Sequence, residues 1–96
     1  MKVLADTVVA RSDDVLFTDL DGIVVTMNVD DGAYHEFDPI GSRIWHLIDR
    51  PASAGDICRR LVEEYDIGPE ACLADVIGFL NEIGEMQLIR FEDGRA

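Results

Sequence analysis

Four side chains of the sequence, His35, His46, Cys58 and Cys72, are of types that could bind zinc. Structural zinc sites take their ligands as closely spaced pairs along the chain. These four residues show no such spacing and fall in four different predicted elements. No metal site is therefore predicted, and Cys58 and Cys72 are expected to be small residues of the core rather than a disulfide.

A second candidate for chemistry is the pair Asp19 and Asp21, followed by Gly22. The segment 17–26 resembles the DxDG signature of haloacid-dehalogenase-type phosphotransferases, in which the first Asp is the nucleophile. Such enzymes need a parallel α/β sheet that supplies further catalytic residues, and a chain of 96 residues is too short to contain one. Because a tight hairpin turn also explains an Asp-Gly pair, we predict no catalytic residue and no enzymatic activity.

Composition narrows the possible functions further. The chain has 8 Lys and Arg against 20 Asp and Glu, a formal net charge of −12, and 48% of its residues are hydrophobic. This apolar fraction indicates a folded chain, and its length suits one modest core, so we predict a single domain over residues 1–96. Between Leu61 and Ile89 there is no Lys or Arg, which argues against nucleic acid as a partner.

The ends of the chain carry no recognisable targeting or membrane-spanning signal. The apolar start is interrupted by Asp6, and no segment approaches the roughly 20 apolar residues that cross a bilayer. We therefore expect a cytoplasmic protein with no membrane partner. Residues 1–14 are expected to form an N-terminal extension and residues 90–96 a polar tail.

The first part of the chain predicts antiparallel strands. Two Asp-Gly pairs, at residues 21–22 and 31–32, follow β-rich runs, and Asp-Gly favours the positive φ angles of type I′ hairpin turns. The pairs separate predicted strands over residues 15–20, 23–29 and 33–37. Residues 7–11 form either a further short strand or a segment along the edge.

From Asp38 onward the pattern becomes helical. Asp38 and Pro39 are a typical N-cap and first helical residue, and apolar residues then recur at helical spacing to about residue 49, with Trp45 as a core anchor. Second and third helices begin after Ser53 and at Pro69. The predicted fold class is α+β and winged-helix-like, a three-stranded antiparallel meander followed by three helices.

The third helix carries an apolar face that is wider than one packing surface needs. Two stripes share Val76, and one of them also contains Cys72 and Phe79. The third strand would form a sheet edge beside this face, and an open edge next to an apolar face can accept an extended peptide. In the alternative, other segments cover the edge and the second stripe completes the core. The sequence pattern alone does not decide between these two interpretations.

Taken together, several segments resemble the PqqD family, the RiPP recognition elements, which bind the leader of a ribosomally made precursor peptide. The resemblance extends from about Val15 to Ile89 and rests on the order and spacing of the segments. The family often has Leu-Asn where this chain has Phe37-Asp38, and Gly where it has Gln87. The matching segments are the run DGAYHEFD (31–38), then Ile44, Trp45, Leu47 and Ile48, then Ile57, Leu61 and Tyr65, and finally Asp75, Val76, Phe79, Leu80, Ile83, Leu88 and Ile89.

The resemblance implies a non-catalytic binding domain without a cofactor. In the family, the leader adds an antiparallel strand to the third strand, and the third helix holds its apolar side chains. The peptide-binding residues that this implies are Tyr34, His35, Glu36 and Phe37 on the strand and Cys72, Asp75, Val76 and Phe79 on the helix.

The partners that the resemblance implies are a precursor leader peptide and a leader peptidase or other modifying enzyme. The chain looks most similar to the free-standing members that accompany lasso-peptide peptidases and cyclases. The alternative is a winged-helix regulatory or assembly protein that forms a homodimer through the same strand edge.

Overall fold

Two small antiparallel sheets and three helices form the part of the chain, residues 3–92, that this computed structural model describes. One sheet has the strand order β2-β3-β4 and the other the order β5-β1-β6. The elements are β1 (Val8–Arg11), β2 (Val15–Leu20), β3 (Ile23–Asn28), β4 (Tyr34–Glu36), α1 (Pro39–Leu47), β5 (Ala52–Ser53), α2 (Ala54–Glu64), α3 (Pro69–Glu85) and β6 (Ile89–Glu92).

The predicted three-stranded meander is confirmed as the sheet β2-β3-β4. Alternate residues of the middle strand, Val24, Thr26 and Asn28, are buried against the helices, as the period of two in a strand requires. The predicted α+β, winged-helix-like fold class is also confirmed. The structure contains, in addition, a second small sheet that the sequence did not predict.

The two Asp-Gly turns differ from each other. Asp21 and Gly22 both have positive φ angles, +56° and +89°, as a type I′ turn requires, so the first prediction is confirmed. The type I′ prediction for the second pair is wrong, because only Gly32 has a positive φ. The loop there is longer: the Asn28 N–H donates to the Ala33 carbonyl, and the Asp31 side chain accepts from the Ala33 N–H at 2.9 Å.

Side-chain caps start the first two helices where the sequence predicts them. Asp38 Oδ1 accepts a hydrogen bond from the Gly41 N–H at 2.7 Å, with Pro39 in the first turn of α1. Ser53 Oγ accepts from the Asp56 N–H at 3.1 Å at the start of α2. The first cap matters for the site because it fixes the direction in which the chain leaves β4.

The second sheet joins the two ends of the described chain. Strand β1 pairs with β6, from Val8 opposite Glu92 to Arg11 opposite Ile89, and also with β5. Residues 8–11 of the expected N-terminal extension and residues 90–92 of the expected polar tail are thus strand residues, whereas residues 93–96 lie outside the described residues. The N-terminal strand therefore leaves the edge of β4 uncovered.

Trp45 anchors the core, as predicted, with none of its surface exposed. Its ring packs against Phe37 and Phe17, and the Arg11 guanidinium lies 4.9 Å from the ring centre and donates to the Trp45 carbonyl. On the same buried side of α1, one turn earlier, Ser42 Oγ accepts from the Val24 N–H at 2.8 Å. These contacts hold α1 against both sheets and fix its position relative to the end of β4.

Candidate functional site

Strand β4 forms the edge of its sheet. It pairs with β3 on one side, with Tyr34 opposite Met27 and Glu36 opposite Val25. Within residues 3–92, no strand pairs with its other side. This edge is therefore the vacant strand position that the sequence interpretation requires.

The hydrogen-bond pattern shows which residues of β4 face the open edge. The Phe37 N–H donates to the Val24 carbonyl, and the Asn28 N–H donates to the Ala33 carbonyl. Because hydrogen-bonded pairs repeat every two residues, His35 also directs its N–H and C=O toward β3. The expectation that His35 supplies the ladder to a peptide is corrected on this ground: Tyr34 and Glu36 present the free backbone groups.

An apolar groove begins where β4 ends. It has a volume of about 310 Å³ and lies between α1 and the first part of α3, with Leu61 of α2 contributing to its wall. All four helix residues expected at the site line it together. The lining residues are Asp38, Ile40, Gly41, Ile44, Leu61, Ile67, Cys72, Asp75, Val76 and Phe79.

Phe79 connects the groove to β4 through Phe37. The two rings pack edge to face with their centres 5.4 Å apart. Phe37 itself is buried in the core, so the structure places it beneath the groove and not on the surface. The Phe79 ring can lie this close to α1 because residue 41 is Gly: a Cβ there would stand 3.0 Å from Phe79 Cε1.

The charge of the site is acidic. Asp38 and Asp75 are the ionisable carboxylates of the groove lining, and both are exposed; the lining contains no Lys or Arg. Burial raises the pKa of the Cys72 thiol to about 11, and its contact with Cys58 acts in the same direction. Cys72 is therefore a neutral, apolar part of the wall and not a nucleophile at neutral pH.

The other sequence candidates have structural roles. Asp19 Oδ1 accepts from the Gly22 N–H at 2.7 Å, and its Oδ2 lies 2.6 Å from His46 Nε2. The His46 hydrogen bond, helped by that of Gly22, lowers the pKa of Asp19. The carboxylate thus stabilises the first turn and joins it to α1. The four His and Cys side chains do not assemble: residues 3–92 contain no cluster of three or more potential metal ligands.

Sequence reasoning missed one wall of the groove. The helical pattern predicts that Ile44 and Leu61 face inward, but it does not show that they border a groove. Ile40 belongs to the same apolar pattern of the first helix, whereas Gly41 gives no signal of its own. Which inward-facing residues border an open groove depends on the packing of α1 against α3, and local patterns do not contain that information.

In the described residues, no helix has the length and apolar character needed to cross a bilayer.

Comparisons with known proteins agree with this geometry. None of the curated proteins matches the sequence. The structure of TbiB1 in complex with the TbiA(beta) leader peptide is 28% identical, with a TM-score of 0.80 over 91% of this chain and 98% of that one. The structure of a lasso peptide synthetase B1 complexed with the leader peptide shares the fold, with a TM-score of 0.75 and 17% identity over 85% of this chain and 96% of that one.

The family described as coenzyme PQQ synthesis protein D (PqqD) matches residues 24–89. That range runs from the middle strand of the meander to the first residue of β6, so it includes β4, the groove and all three helices. It spans more than half of the chain. The chain therefore belongs to the PqqD family.

Proposed function

We propose that this chain binds the leader of a ribosomally made precursor peptide as an added antiparallel strand on β4. The chain then delivers the precursor to its maturation enzymes and catalyses no reaction itself. The observation that carries the proposal is the open edge of β4 directly beside an apolar groove of about 310 Å³.

The backbone of β4 supplies affinity with little dependence on sequence. Tyr34 and Glu36 offer two N–H and two C=O groups at the open edge. Each hydrogen bond contributes a net stabilisation of about 0.5–1.5 kcal/mol. An extended leader that pairs with both residues therefore gains a few kcal/mol from its backbone alone, whatever its side chains.

The groove and its charge supply selection. Apolar leader side chains fit against Val76, Phe79 and Ile40, and every second residue of an added strand points to the same side. Asp38, Asp75 and the exposed Glu36 favour Lys or Arg at neighbouring leader positions. The net charge of −12 favours a basic leader further and opposes pairing of two β4 edges in a homodimer.

The comparisons support this assignment. TbiB1, which is 28% identical over most of its length, was solved with a leader peptide, and this favours a leader peptide as the ligand of this chain. A precursor of the lasso-peptide type is proposed because the sequence resembles the free-standing members that accompany lasso-peptide enzymes. A leader peptidase and a cyclase are the enzymes that we propose act on the bound precursor. By holding the leader, the domain raises the local concentration of the precursor at an enzyme.

The proposal is tested by titrating a fluorescently labelled leader peptide into the protein and into its Glu36→Pro variant. Proline removes the outward N–H of residue 36 and leaves the pairing of His35 with β3 in place. We expect about a tenfold loss of affinity, the equivalent of one hydrogen bond. Glu36→Ala is the matched control, because it removes the charge and keeps the N–H. A folded Glu36→Pro variant that binds the leader as tightly as Glu36→Ala contradicts strand addition.

A further inference from the structure

The sheet β2-β3-β4 has a second, uncovered surface. Its buried side packs on the helices through alternate residues, and the residues between them point away from the helices. An antiparallel sheet with one side in water normally alternates apolar and polar residues, so that the outer side is polar. Here only Thr18 and Glu36 of the three strands are polar on the outer side. Its apolar residues, which we call the outer face, are Leu16, Leu20, Ile23, Val25, Met27 and Tyr34.

Three residues of the outer face are strongly exposed, and the middle-strand residues Ile23, Val25 and Met27 are half-buried between them. The exposed fractions are 59% for Leu16, 61% for Leu20 and 71% for Tyr34. Between β2 and Tyr34 the surface forms a shallow depression of about 220 Å³. A contiguous exposed apolar surface of this kind typically marks a site of protein association.

The charges around the outer face indicate what kind of partner fits it. Asp21 and Asp31 lie exposed in the turns at its two ends, and Glu36 lies on the same side as Tyr34. The facing strands contribute no Lys or Arg. Two copies of this chain would bring like charges together, whereas an apolar surface rimmed by Lys and Arg would be complementary.

We infer that the outer face docks the enzyme that processes the bound precursor, through an apolar contact surface with a basic rim. This inference rests on the proposed leader binding. Tyr34 belongs both to the outer face and to the open edge of β4, so an enzyme docked there lies next to the bound leader. One strand thus places substrate and enzyme side by side.

The test compares two titrations of the Leu16→Ser/Leu20→Ser variant, one with labelled leader peptide and one with purified leader peptidase from the same biosynthetic cluster. We expect leader affinity to stay within about twofold and peptidase affinity to fall at least about tenfold. Leu4→Ser is the matched control, because Leu4 is 57% exposed and lies outside the outer face. Peptidase binding by the wild type should also weaken as salt rises from about 0.05 to about 0.5 M.

The other outcomes separate the two proposals. If the double variant binds the peptidase as tightly as the Leu4→Ser control does, the outer face is not the docking surface. The same holds if the wild type does not bind the peptidase. Neither result bears on the proposed leader binding. Loss of leader affinity in a folded double variant also overturns it, because the two surfaces are then not separate. A dimer of the wild type that the double substitution abolishes assigns the outer face to a second copy instead. Failure of the wild type to bind any leader overturns the proposed function itself.

Discussion

Substituting Gly41 by Ala should damage leader binding while leaving the fold nearly as stable. The new Cβ would lie 3.0 Å from Phe79 Cε1, 3.1 Å from Phe79 Cζ and 3.1 Å from Asp38 Oδ1. To relieve this contact the ring would have to move away from α1, and because Phe79 lines the groove, its movement changes the shape of the groove. The substitution therefore alters the shape of the site indirectly, through Phe79, because residue 41 itself is buried.

The magnitude follows from two opposing effects. Replacing Gly by Ala in a helix stabilises it by up to about 1 kcal/mol. Forcing a side chain about 30° from its preferred rotamer costs about 0.5–1.5 kcal/mol. We therefore expect the free energy of unfolding of Gly41→Ala to lie within about 1 kcal/mol of that of the wild type, and leader affinity to fall by about tenfold or more.

Gly78→Ala is the matched control, since a Cβ at this exposed position of α3 meets no atom within 4 Å. It should stabilise the protein by about 0.5–1 kcal/mol and leave leader affinity unchanged. Urea denaturation measures the stabilities, and fluorescence anisotropy of a labelled leader measures the affinities. If Gly41→Ala binds the leader as well as Gly78→Ala does, Phe79 does not form the wall of the binding site.

Three further predictions concern stability and the thiols. Gln87 has a φ of +62°, so Gln87→Gly should raise the free energy of unfolding by about 1 kcal/mol, whereas Gln87→Ala should not; thermal unfolding compares the two. The pKa of Asp19 is lower in the folded than in the unfolded protein, where it is about 4. The ionised carboxylate therefore stabilises the fold above about pH 4, and this stabilisation is lost as the pH falls through the pKa of the folded state. The stability difference between wild type and Asp19→Asn in urea should accordingly shrink below about pH 4, and a constant difference would argue against the contact with His46. In a Cys58→Ala variant, Cys72 should react with iodoacetamide at pH 8 far more slowly in the folded than in the unfolded protein, since burial raises the pKa of its thiol; equal rates would place it at the surface.

Much of the fold is predictable because its signals are local. The turn at Asp21-Gly22 and the caps at Asp38 and Ser53 each depend on a few neighbouring residues, and the structure confirms all three. The second sheet lacks such a signal. Strand β1 pairs with β6 at the far end of the described chain, so the pairing joins segments that are distant in sequence and no local pattern indicates it.

The residues of the site also fall into those that a local pattern predicts and those that depend on contacts between distant segments. Helical periodicity placed Cys72, Val76 and Phe79 on one side of the third helix, where they line the groove. The role of His35 could not be predicted, because the side to which a strand residue directs its backbone depends on its register with β3. Phe37 likewise alternates to the buried side, where it supports Phe79.

The central claim is that a leader pairs with the open edge of β4, and amide hydrogen exchange measured residue by residue tests it most directly. In the free protein, the amide of His35 should exchange slowly, because it bonds to β3, and those of Tyr34 and Glu36 should exchange fast. With saturating leader peptide, we predict that Tyr34 and Glu36 become protected while His35 changes little. If Tyr34 and Glu36 exchange as fast in the saturated complex as in the free protein, the leader does not add a strand to β4.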